Sequence, residues 1–316
     1  MKKMRLRTFL TIFCFFFAVI IIFSATYLSY QSANELLTEQ VYAHLETTTQ
    51  SKANHIETFF KKQKDKIMIA ATHQELTNEE LKELVDINSD YTEMFVLDSN
   101  GIIVSSSEES IIGVNKSDDF YFIEGQKKTY FKDIYFSDSI NKMAFAIFTP
   151  HGEGNVLVVR IDTSLLNDIV SDKTGLGETG EAYMINKDKL LITSSRFFEN
   201  NILVQKVDTT NAENCLSAVK MNSSEHEGHE AVESFLDYRG ENVIGTHVYI
   251  SEMQWCLLAE VDEAEILGRL RQDMLKDSVI ISIILILIVT LIMFFIGGWL
   301  ENVYLKKGRQ KSPNRK

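Results

Sequence analysis

Two stretches of the chain carry residue types that could do chemistry. Gly175-Leu-Gly177-Glu-Thr-Gly180 spells the glycine pattern of a dinucleotide-binding turn. That turn needs a strand before it and a helix after it, because the helix N-terminus holds the pyrophosphate. Here a helical pattern precedes the glycines and the apolar run Tyr183-Met-Ile185 follows, so a tight turn is expected and no nucleotide. Glu225-His226-Glu-Gly228-His229-Glu230 gathers metal-ligating types. On a strand, positions three apart face opposite sides, so only a loop could bring two such ligands to one ion. His226 and His229 stand three apart around Gly228, so a solvated turn is expected, with these two as weak metal candidates. The seven histidines are otherwise scattered, and no phosphate-loop lysine motif or Gly-x-Ser-x-Gly elbow occurs. The expectation is a protein that is not an enzyme and takes no cofactor.

The elements around these stretches form a repeat. Phe95-Val-Leu97, the turn Asp98-Ser-Asn-Gly101 and Ile102-Ile-Val104 read as a hairpin, and Tyr183–Ile192 matches it without a gap at an offset of 88. Asn155–Asp162 matches Trp255–Asp262 at an offset of 100, and each of these strands leads into a helical pattern. Asp162 and Asp262 are placed to cap those helices. The chain therefore holds two related α/β modules in tandem. Further strands are expected around 129–136 and 143–149 in the first, and at 230–238 and 243–250 in the second. Residues 118–122 read as loop, and 211–221 as helix or loop.

The chain has 316 residues, and its charge is uneven. Lys2, Lys3, Arg5 and Arg7 precede an uncharged run, Phe9–Tyr30, and a second run, Val279–Leu300, precedes Lys306, Lys307, Arg309, Lys311, Arg315 and Lys316. About 20 apolar residues suffice to cross a bilayer as a helix. By the positive-inside rule both termini lie in the cytoplasm and residues 31–277 lie outside. That middle part holds 22 basic and 43 acidic residues, a net of −21, which argues against nucleic acid as a partner. Cys14 lies in the first apolar run. Cys215 and Cys256 share the middle region and could pair, but two cysteines make no framework, and the sequence leaves their pairing open.

No Gly or Pro occurs before Gly101, and residues 31–72 are rich in helix formers. Leu37, Val41, Leu45, Ile56, Phe59, Phe60 and Ile67 recur at helical spacing, while Thr47-Thr-Thr-Gln-Ser51 interrupts the apolar stripe. The expectation there is an exposed bend, or a face covered only by a second copy of the chain. Thr77-Asn-Glu-Glu80 spells a capping box opening a short helix. From Asp262 a helical pattern runs on into the second apolar run, so strand and span would be joined as one rod.

Two spans around some 250 outer residues, a long leading helix, two PAS-like modules and a closing helix together resemble the double Cache sensor domain of chemoreceptors and sensor histidine kinases. Gly177-Glu-Thr-Gly180-Glu-Ala-Tyr183 looks like the family's glycine-rich stretch, and Met253-Gln-Trp255–Asp262 looks like its last strand. The resemblance covers about 31–277. It implies an α+β fold of two tandem antiparallel-sheet modules on a long N-terminal helix, flanked by two transmembrane helices. The implied divisions are a cytoplasmic stretch 1–8, a span 9–30, the long helix with the membrane-distal module 31–165, the membrane-proximal module and exit helix 166–277, a second span 278–300, and a basic tail 301–316. In the family the distal module holds the ligand. Amino-acid binders carry an arginine two residues before an aromatic pair. The pair here is Phe120-Tyr121 or Tyr121-Phe122, and the arginine's place falls on Asp118 or Asp119. Asp162 matches an aspartate that meets the ligand amine, and it is also placed as a helix cap. Tyr121, Tyr130, Tyr135 and Phe136 would line the pocket. The implied ligand is an amine or other cation. The resemblance allows a homodimer through the long helix. With 16 residues after the second span, the receptor is expected either to be split or truncated or to work through a separate signalling partner. Two other readings stand beside this one: a non-signalling binding or scaffold protein of the outer face, and a metal-binding outer protein using residues 225–230.

Overall fold

The computed structural model describes residues 6–199, 201–217 and 234–310. Most of the strands that the apolar runs call for form, in two antiparallel sheets. The first sheet orders β2 (Ile103–Ser106), β1 (Glu93–Leu97), β5 (Asn155–Asp162), β4 (Lys142–His151) and β3 (Tyr130–Ser137). The second orders β6 (Glu181–Ile185), β9 (Trp255–Asp262), β8 (Asn242–Ile250) and β7 (Phe235–Leu236). Strands β1 and β6 begin and end at residues 88 apart, and β5 and β9 at residues 100 apart, so the repeat in sequence is a repeat in structure. Both sheets and Val41–Glu263 belong to one compact unit; the two ends of the chain form another.

The helices are α1 (Leu6–Ala70), α2 (Asn78–Ile87), α3 (Phe120–Gly125), α4 (Ser164–Ser171), α5 (Thr210–Ser217) and α6 (Glu263–Gln310). α1 and α6 are long and apolar enough to cross a membrane. α2 opens on the expected capping box: Glu80 N–H donates to the Thr77 hydroxyl, and Thr77 N–H donates back to the Glu80 carboxylate at 2.9 Å. β9 passes without a break into α6.

The polar middle of α1 corrects the expected interruption. Thr49 and Lys52 are buried in line with Leu45, Ala53, Ile56 and Phe60. Thr49 loses no hydrogen bond on burial because its hydroxyl donates to the Leu45 carbonyl at 2.7 Å. The Lys52 ammonium donates to the carbonyls of Ile169 and Asp172 at 2.7 and 2.9 Å, at the C-terminal end of α4 where the helix dipole favours a cation. Further along α1, Phe60 meets Phe131 of β3, Phe145 of β4 and Trp255 of β9 edge to face, at centroid distances of 5.5, 5.4 and 5.6 Å. One ring thus serves the cores of both modules. Asp133 of β3 adds a polar joint, accepting from Trp255 Nε1–H at 2.8 Å and Asn186 Nδ2 at 3.2 Å.

One open question closes and two further expectations change. Cys215 and Cys256 are joined by a disulfide that ties α5 to β9. Residues 118–122 are not all loop, since α3 starts at Phe120. The second arm of the later hairpin is reduced to isolated bridges at Leu190 and Leu191, because Leu191 N–H turns to the Gln205 carbonyl. Of the strand expected at 230–238, Phe235–Leu236 is present; residues 230–233 lie outside the described residues, as do His226 and His229.

Candidate functional site

The site grows from one cross-strand pair. Glu93 of β1 stands directly opposite Arg160 of β5, and the two are 1% and 5% exposed. A charge this deep requires a partner and a full set of hydrogen bonds. Arg160 Nη1 pairs with the Glu93 carboxylate and donates to Ser139 Oγ at 2.6 Å. Its Nε donates to the Tyr135 hydroxyl at 2.9 Å, and the guanidinium lies over the Phe95 ring at 4.8 Å. Burial works against this charge, but Tyr135, Glu93 and Tyr121 outweigh it and hold the guanidinium above its ordinary value. Nη2 is left with one long contact, 3.5 Å to the Tyr121 hydroxyl.

A bulge in β3 brings the second basic group in. The pairing with β4 shifts register between Lys132 and Tyr135, so residues three apart line the same cavity. Asp133, between them, points instead to Trp255. The Lys132 ammonium lies 4.8 Å from the Tyr121 ring centre and 4.3 Å from that of Tyr135, and donates to Asp119 Oδ1 at 3.3 Å. Asp119 occupies the N-cap position of α3 without capping it. Its carboxylate turns to Lys132 and to Lys116, the latter at 3.3 Å. Burial would raise the Asp119 carboxyl; Lys132, the Tyr121 hydroxyl and Lys116 together pull it below the usual carboxylate range.

These groups enclose a cavity of about 270 Å³, with Asp138 and Ser139 on its rim and Ile103, Ile111 and Val114 as its apolar side. Its lining carries three bases (Lys116, Lys132, Arg160) against two acids (Asp119, Asp138). Of the expected site residues, Asp119, Tyr121 and Tyr135 line it together, and so does Phe136. Asp118 is exposed outside it. Tyr130 packs on Phe120 and Phe148, at 5.9 and 6.2 Å between ring centres. Asp162 pairs with Lys142 at 3.0 Å and accepts from Ser164 N–H at 3.0 Å. Arg160, Lys132 and Lys116 were not among the expected residues. The one signal for Arg160 is a lone charge inside the apolar strand Val156–Ile161.

Among the described residues no group of three or more His, Cys, Asp or Glu is arranged to hold a metal. A small polar cavity lies on the first of the two antiparallel sheets. Residues 29–270 match the profile of the Cache domain, and the chain belongs to that family. Among solved structures, the extracellular domain assigned to histidine kinase rpHK1S-Z16 matches with a TM-score of 0.56 at 14% identity, over 72% of this chain and 97% of that one. The Pseudomonas aeruginosa amino-acid chemoreceptor PctB, in complex with L-Arg, matches with 0.52 at 13%, over 73% and 92%. The ligand-binding domain of Mlp24 with asparagine matches with 0.51 at 13%, over 74% and 98%. At these identities the likeness is one of fold. No curated protein matches the chain. Cache homologues are extracellular ligand-binding sensor domains of kinases and chemoreceptors, and they act by binding rather than by catalysis.

Proposed function

We propose that the chain is a membrane-anchored sensor whose first module binds a small ligand carrying a carboxylate, of amino-acid size. The observation that carries this is the basic pole of the cavity, Lys132 beside Arg160 Nη2. The amine expected from the sequence is less well served. The aromatic faces and Asp119 that would receive an ammonium already hold that of Lys132. An entering carboxylate can take the place of Asp119 at Lys132 and use the weakly engaged Arg160 Nη2, and it leaves Asp119 and Asp138 for a ligand ammonium. The cavity lies just below the usual size range for drug-like ligands, which suits a molecule of few atoms. PctB with L-Arg and Mlp24 with asparagine support the ligand class.

Isothermal titration of the full chain in detergent micelles tests the reading, with L-amino acids and small carboxylates set against alkyl amines. Binding of carboxylates is expected, with affinity at least about tenfold lower in Lys132→Met. Binding of amines alone overturns it.

The topology belongs to the same proposal. Apolar segments 9–30 and 279–300 cross the bilayer, both basic ends stay in the cytoplasm, and 31–277 face outward. The Cys215–Cys256 disulfide supports this, since such bonds persist in oxidising compartments. Protease added to intact cells should cleave within 31–277.

A further inference from the structure

The second module keeps the frame of the first and changes one charge. Where Glu93 faces Arg160, the equivalent strands set Glu181 of β6 opposite Glu260 of β9. Directly opposed residues of an antiparallel pair share a face. Both glutamates are buried, 4% and 2% exposed, and neither makes an ion pair among the described residues. Glu260 is held by neutral donors: the Tyr183 hydroxyl and Asn211 Nδ2, each at 2.9 Å. Glu181 accepts from the Tyr238 hydroxyl, from Ser195 Oγ at 3.2 Å and from Arg196 N–H at 3.0 Å.

The surrounding charges do not neutralise the pair. Arg196 donates to the Gly180 carbonyl at 2.7 Å. Arg239, in the β7–β8 turn, is engaged by Asp237 and Asp262 at 2.5 Å each. From β8, His247 Nδ1 lies 2.8 Å from Asn211 Oδ1 on α5. Room for the Glu260 side chain comes from Gly245, where an added Cβ would sit 2.7 Å from Glu260 Cγ. Two carboxyl groups in one water-poor site cannot both ionise readily, so one of them keeps its proton.

We propose that the second module is a proton sensor: Glu181 and Glu260 hold one proton between them, which leaves as pH rises through neutrality and sets like charges against each other on the strand that runs into α6. Burial pushes the Glu260 carboxyl up most, Asp237 and Glu181 add to it, and the bonds from Asn211 and Tyr183 only partly offset this, leaving it pushed up to about 7. Burial raises Glu181 as well, and this outweighs the opposing pull of the Tyr238 hydroxyl, the Arg196 backbone N–H, the Arg239 charge and the Ser195 hydroxyl. The direction for stability follows. A carboxyl that holds its proton more tightly folded than unfolded favours the fold most at acid pH. That advantage is lost between about pH 4, where the unfolded group ionises, and about pH 7. The proposal does not depend on the ligand of the first module.

Thermal unfolding of the full chain in detergent micelles, from about pH 5 to about pH 8.5, is one test, and the infrared band of protonated carboxyl groups is the other. The midpoint of unfolding should fall as pH rises toward neutrality. The band should fade over the same window. Both changes should shift to lower pH in Glu260→Gln and in Glu181→Gln, because the carboxyl that remains has lost its like-charged neighbour, while His247→Gln keeps them in place. The infrared measurement on the unmodified protein stands even if a variant fails to fold. A band that does not change with pH, or changes that keep the same pH in Glu260→Gln, would overturn the proposal. So would their loss in His247→Gln alone.

Discussion

The two modules share a register and differ in what they set across their central strands. In the first, Glu93 opposite Arg160 makes an ion pair, and the positive partner extends a network of tyrosines and Ser139 to the edge of a cavity. In the second, Glu181 opposite Glu260 makes an acid pair closed over by Tyr183, Tyr238 and Asn211, beside a disulfide. One frame therefore carries an open cavity in one module and a buried acid pair in the other. At the opposed pair itself the difference is one basic-to-acidic exchange, Arg160 against Glu260.

The sharpest way to break the first arrangement is Arg160→Met, which leaves Glu93 buried without its counter-charge. A loss of roughly 3–5 kcal/mol is expected, read as a lower denaturation midpoint of the full chain. In the second module, Cys215→Ser with Cys256→Ser frees α5 from β9. For a closed loop of this length the expected loss is about 3–4 kcal/mol, and reducing agent should reproduce it in the unmodified protein. The ends of β5 and β9 carry the same comparison at smaller scale. Asp262 is held by Arg239, whose side chain is 13% exposed, whereas Asp162 is held by Lys142, 60% exposed. Removing Arg239 also strips the buried Asp237 of its partner, so Arg239→Ala should cost roughly 2–3 kcal/mol. Lys142→Ala should cost less than about 1 kcal/mol, because an exposed pair is screened by water. Equal effects of these two substitutions would show that the ends of the strands are not held as differently as their burial implies.

Much of the fold was legible in the sequence because its signals are local. The runs Phe95–Leu97 and Tyr183–Ile185, the matching strands Asn155–Asp162 and Trp255–Asp262, and the capping box at Thr77 each lie within a few consecutive residues. The site was legible only in part. Asp119, Tyr121 and Tyr135 were in view, while Arg160 acquires meaning only once Glu93 is known to face it, from 67 residues away. The bulge that turns Lys132 into the cavity leaves no mark in the alternation of apolar residues. Thr49, within Thr47–Ser51, reads as exposed because its polarity suggests water, yet its hydroxyl is buried on the Leu45 carbonyl. The disulfide stayed open in the sequence because cysteine spacing says nothing about which helix lies over which strand.

Trp255 sits fully buried against Phe60 and Phe145, with its indole N–H on Asp133 of the strand that lines the cavity. The chain has one other tryptophan, Trp299. With Trp299→Phe in place, the emission colour and lifetime of Trp255 become a built-in optical gauge at the seam of the two sheets. It reports without a dye when either module shifts against the other.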